Sequence, residues 1–98
     1  MTFDVRTVAL PPGGARSYHP AEWRDALVLV AGGTLELEFT GGRRERFPTG
    51  AMLWLARLSL RALHNPASSE VALLVAISRR PMTSRGRAVS TFDGFERQ

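Results

Sequence analysis

Ala26-Leu27-Val28-Leu29-Val30-Ala31-Gly32-Gly33-Thr34-Leu35-Glu36-Leu37-Glu38-Phe39 sets two kinds of strand side by side. The first six residues form a continuous apolar run of strand length, the pattern of a strand buried on both faces. Gly32-Gly33 supplies a tight turn. Thr34 to Phe39 then alternates strictly. Successive side chains of a strand point to opposite faces, so Leu35, Leu37 and Phe39 are expected inside and Glu36 and Glu38 in water.

The same reading extends in both directions. Upstream, Phe3 to Leu10 reads as a first strand, ended by Pro11-Pro12-Gly13-Gly14, which cannot continue one. Arg16 to Pro20 reads as a short extended piece. Downstream, Thr40-Gly41-Gly42 is a hairpin loop, Arg43 to Phe47 returns, and Pro48-Thr49-Gly50 turns again. Ala51 to Ala56 reads as another buried strand with Trp54 in the core, and Leu58 to Leu63 follows with Leu58, Leu60 and Ala62 on one face. His64-Asn65-Pro66 turns the chain into the last apolar strand, Glu70 to Ile77. Turn signals every eight to twelve residues, with no convincing helical stripe, predict an all-β barrel or two-sheet sandwich. Its expected core is Leu27, Leu29, Leu35, Leu37, Leu53, Leu55, Leu73 and Val75.

A chain of 98 residues with 44% hydrophobic content makes one domain with one core. The expected division is a barrel over 1–80 and an arginine-rich tail over 81–98. No apolar run approaches the roughly 18 to 20 residues that cross a bilayer. The N-terminal residues lack the pattern of a signal peptide, so a cytoplasmic location is expected. Without cysteine there is no disulfide, thiolate site or thiol nucleophile. The sequence pI near 11.3 raises the question of nucleic acid. Residues 79–98, however, hold five arginines against Asp93 and Glu96, while the other 78 residues hold eight arginines and seven acids. Most of the excess charge therefore belongs to the tail, and no aromatic interleaving or reading motif accompanies it, so nucleic acid is not an expected partner. Arg43, Arg44 and Arg46 around Glu45 read as a solvated hairpin.

Residues 8 to 78 resemble the cupin family. The matching order is Pro12-Gly13, His19, the Ala26–Ala31 strand, Gly32-Gly33, the alternating strand, Gly41-Gly42, Pro48-Thr49-Gly50, Ala51 to Ala56, Asn65-Pro66 and Val71 to Ile77. The resemblance implies a jelly roll with a divalent metal held by two histidines and a glutamate, and by a third histidine from a later motif. Counting back from Gly32 puts Asp25 at the carboxylate position, with Ala21 and His19 at the two histidine positions. Counting from Gly33 gives Ala26, Glu22 and Pro20. From Gly50 the later histidine position is Arg61, and Asn65 matches the family's asparagine. Arginine stays protonated in proteins and cannot ligate. His64, three residues on, reaches Arg61's side of a strand only through a bulge.

Two functions stay open on this basis. One is a cupin-like module that binds a small polar or anionic organic molecule in its barrel without a metal. Its expected ligand-binding residues are His19, Glu22, Trp23, Asp25, Arg61 and His64. In that reading Arg61 faces inward and pairs with Asp25, Glu22 or a ligand carboxylate, His19 serves as base or orienting donor, and burial perturbs Glu22 or Asp25. The other is a cupin oxygenase, isomerase or lyase using Fe, Mn, Ni or Zn on His19, Asp25 and His64. A homodimer is expected, formed through the N-terminal strand edge with Phe92 or Phe95 of the tail as anchors.

Overall fold

The computed structural model describes residues 2–80. The tail over 81–98, with Phe92 and Phe95, lies outside the described residues. Eight strands build two four-stranded antiparallel sheets. They are β1 (Thr2–Leu10), β2 (Ala15–Ser17), β3 (Ala26–Gly32), β4 (Thr34–Phe39), β5 (Arg44–Pro48), β6 (Met52–Leu53), β7 (Leu60–His64) and β8 (Ala72–Arg80). The order is β1-β8-β3-β6 in the first sheet and β2-β7-β4-β5 in the second. That alternation of strands between facing sheets gives the two-sheet sandwich that the turn spacing predicts, in the jelly-roll form that the resemblance implies.

The core lies between the sheets. Val28 and Val30 from β3, Leu35 and Leu37 from β4, Leu63 from β7 and Leu74 from β8 are all fully buried. The alternation in β4 holds as expected, with Glu36 and Glu38 on the opposite face, but Glu36 is only 6% exposed there and not in water. Gly33, at φ +72°, makes the β3–β4 turn, and a Cβ there would come within 2.6 Å of the Val71 carbonyl oxygen, so this corner requires glycine.

Three expectations are corrected. Leu73 is exposed, and Leu27, Leu29, Leu53 and Val75 are only half-buried, because the inward face carries Ala26, Val28 and Val30 on β3 and Ala72, Leu74 and Ala76 on β8. Ala51 to Ala56 is not one buried strand. Only Met52 and Leu53 pair, a single 3-10 turn over Leu55–Arg57 follows, and Trp54 is 49% exposed rather than in the core. The extended piece expected to reach Pro20 stops at Ser17, and a four-residue helix, α1 (Pro20–Trp23), begins at the proline. Proline is favoured there because its fixed φ suits the first helical turn, where its missing N–H is not needed.

α1 plugs one end of the sandwich. Its Trp23 is fully buried in the core, and the guanidinium carbon of Arg6 stands 4.9 Å from the ring centroid. A chain bend at Asp25, the one non-glycine residue at positive φ (59°) among the described residues, carries α1 into β3.

Candidate functional site

The first sheet begins its inward face with charge. The register aligns Asp4 with Ser78 and Ala26, and Arg6 with Ala76 and Val28, so Asp4 and Arg6 occupy the same side of β1 as the core residues Val8 and Leu10. They stand at the end that α1 closes. Arg6, Arg16 of β2 and Glu22 of α1 meet there. The Glu22 carboxylate accepts from both guanidiniums (3.2 Å from Arg6), and Arg6 also donates to the Glu22 backbone carbonyl at 3.0 Å. One carboxylate thus ties the edge strand of each sheet to the helix between them. Hydrogen bonding from Arg16, reinforced by Arg6, holds Glu22 below the usual carboxylate range.

Beside this knot is a groove of about 380 Å³ lined by Asp4, Val5, Arg6, Glu22, Arg24, Ala26, Ala76 and Ser78. Its walls combine two guanidiniums, two carboxylates and a hydroxyl with an alanine floor. Arg24 is exposed and has no ion-pair partner among the described residues. Below, Trp23 Nε1 is buried with no acceptor among the described residues.

A second charged group lies on the outer face of the second sheet. Glu36 accepts from Arg44 at 2.8 Å and Arg46 at 2.9 Å. Glu38 lies 2.8 Å from His64 Nε2 and accepts from Arg61 at 3.2 Å, and Arg61 also donates to the Thr40 carbonyl at 2.9 Å. These contacts hold both glutamates below their ordinary values, Glu36 chiefly through Arg44 and Glu38 chiefly through His64. The pairing of β4 with β7 slips between Glu38 and Phe39, which leaves Arg61 without a partner across the ladder. The bulge needed to bring Arg61 and His64 to one side is therefore present, and it turns both outward.

The six residues singled out from sequence divide accordingly. Glu22 and Trp23 come together at the mouth under Arg6. Arg61 and His64 come together on Glu38, on the outer face, so the inward Arg61 paired to Asp25 or Glu22 is corrected. His19 is exposed ahead of α1 and makes no capping bond, and Asp25 is exposed at the bend. His19, Asp25 and His64 do not converge. Among the described residues no group of three or more His, Asp or Glu could hold a metal ion. The residues present therefore do not fit the Fe, Mn, Ni or Zn that a cupin fold implies.

Asp4, Arg6, Arg24 and Ser78 escaped the sequence reading. The signal lay in β1, where Val8 and Leu10 fix the inward parity and the same parity falls on Asp4 and Arg6. Charged residues at inward positions near a strand's start mark the open end of a sandwich.

No family model matches the chain, and no curated protein matches it. Among solved structures, it is similar to the 1.9 Å crystal structure of the Cupin_2 domain of an XRE family transcriptional regulator from Enterobacter cloacae. The TM-score is 0.61 and the identity 24%, covering 81% of this chain and 83% of that chain. The likeness shows that the chain has the cupin jelly-roll fold.

Proposed function

We propose that this cupin-fold chain binds a small polar or anionic organic molecule at the mouth of its sandwich, without a metal. The observation that carries the reading is the 380 Å³ groove, where the exposed Arg24, without an ion-pair partner among the described residues, lines a site that also holds Arg6 and Ser78. Its size is that of a small-ligand pocket, and its largely charged and polar lining suits a polar or anionic molecule. A free guanidinium offers a carboxylate two parallel hydrogen bonds. Glu22 is neutralised by Arg6 and Arg16, so it does not oppose an anion as a lone carboxylate would. The barrel interior proper is filled by the leucine, valine and tryptophan core, which moves the expected ligand from the interior to the mouth.

Thermal unfolding with acetate, succinate and benzoate as probes tests this. A ligand that binds only the folded chain raises the melting temperature with its concentration. The expected result is a rise with at least one probe up to about 10 mM, lost in Arg24→Ala and retained in Arg61→Ala. The reading is overturned if no probe shifts the transition, or if Arg61→Ala rather than Arg24→Ala removes the shift.

A further inference from the structure

Glu22 meets its two arginines through a single oxygen. Arg6 and Arg16 both donate to Oε2, and Oε1 accepts no hydrogen bond from the described residues. Arg6 does not depend on that carboxylate for its place. It also donates to the Glu22 backbone carbonyl at 3.0 Å, and its guanidinium carbon stands 4.9 Å from the centroid of the Trp23 ring. Trp23 is fully buried and pins α1, while pairing of Arg16 with Leu63 fixes the backbone of β2. The Glu22 side chain is 19% exposed. It is therefore free to rotate toward water while the helix and both arginines stay where they are. Three guanidiniums, those of Arg6, Arg16 and Arg24, then face one carboxylate, Asp4, where with Glu22 engaged they face two.

We propose that Glu22 is a built-in competitor, seated where a second anionic group of the ligand belongs, and that the mouth selects small dicarboxylates over monocarboxylates. The inference rests on the reading of the mouth as a binding site and adds Arg16 to its residues. A ligand carboxylate on Arg6 and Arg16 offers each guanidinium its own oxygen, which Glu22 does not, and charge-assisted pairs of that kind are the strong ones. The preference of this seat for negative charge shows in Glu22 itself, held below the usual carboxylate range by Arg16 and then Arg6. Glu22 has the advantage of being attached to the chain, which gives it a high effective concentration. A dicarboxylate offsets that advantage in the same way, because its first group on Arg24 tethers the second. A monocarboxylate has no second group, so it takes Arg24 and leaves Glu22 in place.

Isothermal titration calorimetry of the full chain at neutral pH, with acetate, succinate and glutarate as probes, tests it. The readout is the ratio of dicarboxylate to acetate affinity. Glu22→Gln vacates the seat and should raise that ratio about 10-fold or more for succinate or glutarate, the worth of one charge-assisted hydrogen bond. Adding Arg16→Ala to Glu22→Gln should return the ratio to its wild-type value, although Arg16 does not line the groove. If the glutamine variant fails to fold, Glu22→Asp withdraws the charge by one methylene and should move the ratio in the same direction. An unchanged or lowered ratio overturns the proposal and leaves Glu22 as a tether between the sheets. In that case acetate binding that is lost in Arg24→Ala would leave the mouth reading standing alone. A gain that survives Arg16→Ala overturns the proposal as well. Absence of binding by every probe, to wild type and to the Glu22 variants, overturns both.

Discussion

The side-chain amide of Asn65 donates to the Leu10 carbonyl at 3.0 Å, joining two turns 55 positions apart in sequence. The same nitrogen reaches Pro11 at 3.2 Å and Glu70 at 2.6 Å, and Oδ1 accepts from the Ala67 amide at 3.0 Å. Asn65 is nearly fully buried, so removing it strands several backbone groups away from water. Asn65→Ala should lower unfolding free energy by about 2 to 4 kcal/mol. In urea the midpoint should fall with an unchanged slope. A loss below about 1 kcal/mol would mean water replaces those bonds at little cost.

Stability should decline on acidification. Glu22, Glu36 and Glu38 are all held below the ordinary 4.5 by arginine or histidine partners. A carboxylate whose folded value is depressed contributes stability that is complete above its unfolded value and is lost as pH falls through the folded one. The melting temperature should therefore be flat in these groups' contribution above about pH 5 and fall progressively below about pH 4.5. Replacing all three with glutamine should flatten that acid limb. A triple variant with the wild-type acid limb would place the acid-sensitive groups elsewhere.

Arg61→Ala should cost less than about 1 kcal/mol, the usual scale of an exposed ion pair. Its side chain is 59% exposed and Glu38 keeps His64 and Arg44. Chemical denaturation measures this directly, and a loss of several kcal/mol would indicate a buried charge after all.

Two substitutions of Trp23 separate volume from polarity. Trp23→Ala should cost about 3 to 5 kcal/mol by opening a cavity in the core. Trp23→Phe loses some volume but also removes a buried N–H without an acceptor among the described residues, a defect of about 1 to 3 kcal/mol. The two should nearly cancel. A Phe variant as unstable as the Ala variant would show that the indole nitrogen is satisfied in solution.

Purified protein should carry no stoichiometric Fe, Mn, Ni or Zn, as measured by elemental analysis. A catalytic site usually needs three convergent protein ligands, and His19, Asp25 and His64 stand apart. Near-unit occupancy of any of these metals would overturn the metal-free reading.

The sequence carried the strands most clearly where the two faces differ. In β4, leucine and glutamate alternate, so the inward parity is fixed. In β3 and β8 both faces are apolar, and parity cannot be read from a run such as Ala72-Leu73-Leu74-Val75-Ala76. The small alanines of β8 lie against the core while Leu73 faces out, the reverse of a choice by side-chain size. Arg61 was misplaced because a one-residue bulge reverses facing without any local sequence mark. Trp54 was misplaced because its apolar neighbours read as a strand, whereas the chain leaves the sheet there for a 3-10 turn. Of the site, Glu22 was legible only through its spacing of three from Asp25, which stands just before a buried strand. Arg24 is two positions from it along the chain, whereas Arg6 comes near it only through pairing of β1 with a strand about 70 positions away, a non-local relation.

Counted back from Gly32, Asp25 stands where the cupin resemblance implies a ligating carboxylate, and its backbone is left-handed, φ 59°. Aspartate tolerates that conformation better than most residues, and glutamate has no comparable local bonding to offset it. The corner and the plug above it are therefore one unit: α1 sits where it does because the chain reverses at Asp25. Grafting histidines at Ala21 and Arg61 would restore a ligand set on paper only. The backbone would still aim Asp25 into solvent and Arg61's substituent off the far side of the second sheet. Recovering metal chemistry in this scaffold is a matter of rebuilding the residue 18–26 connection, with side-chain exchange coming second.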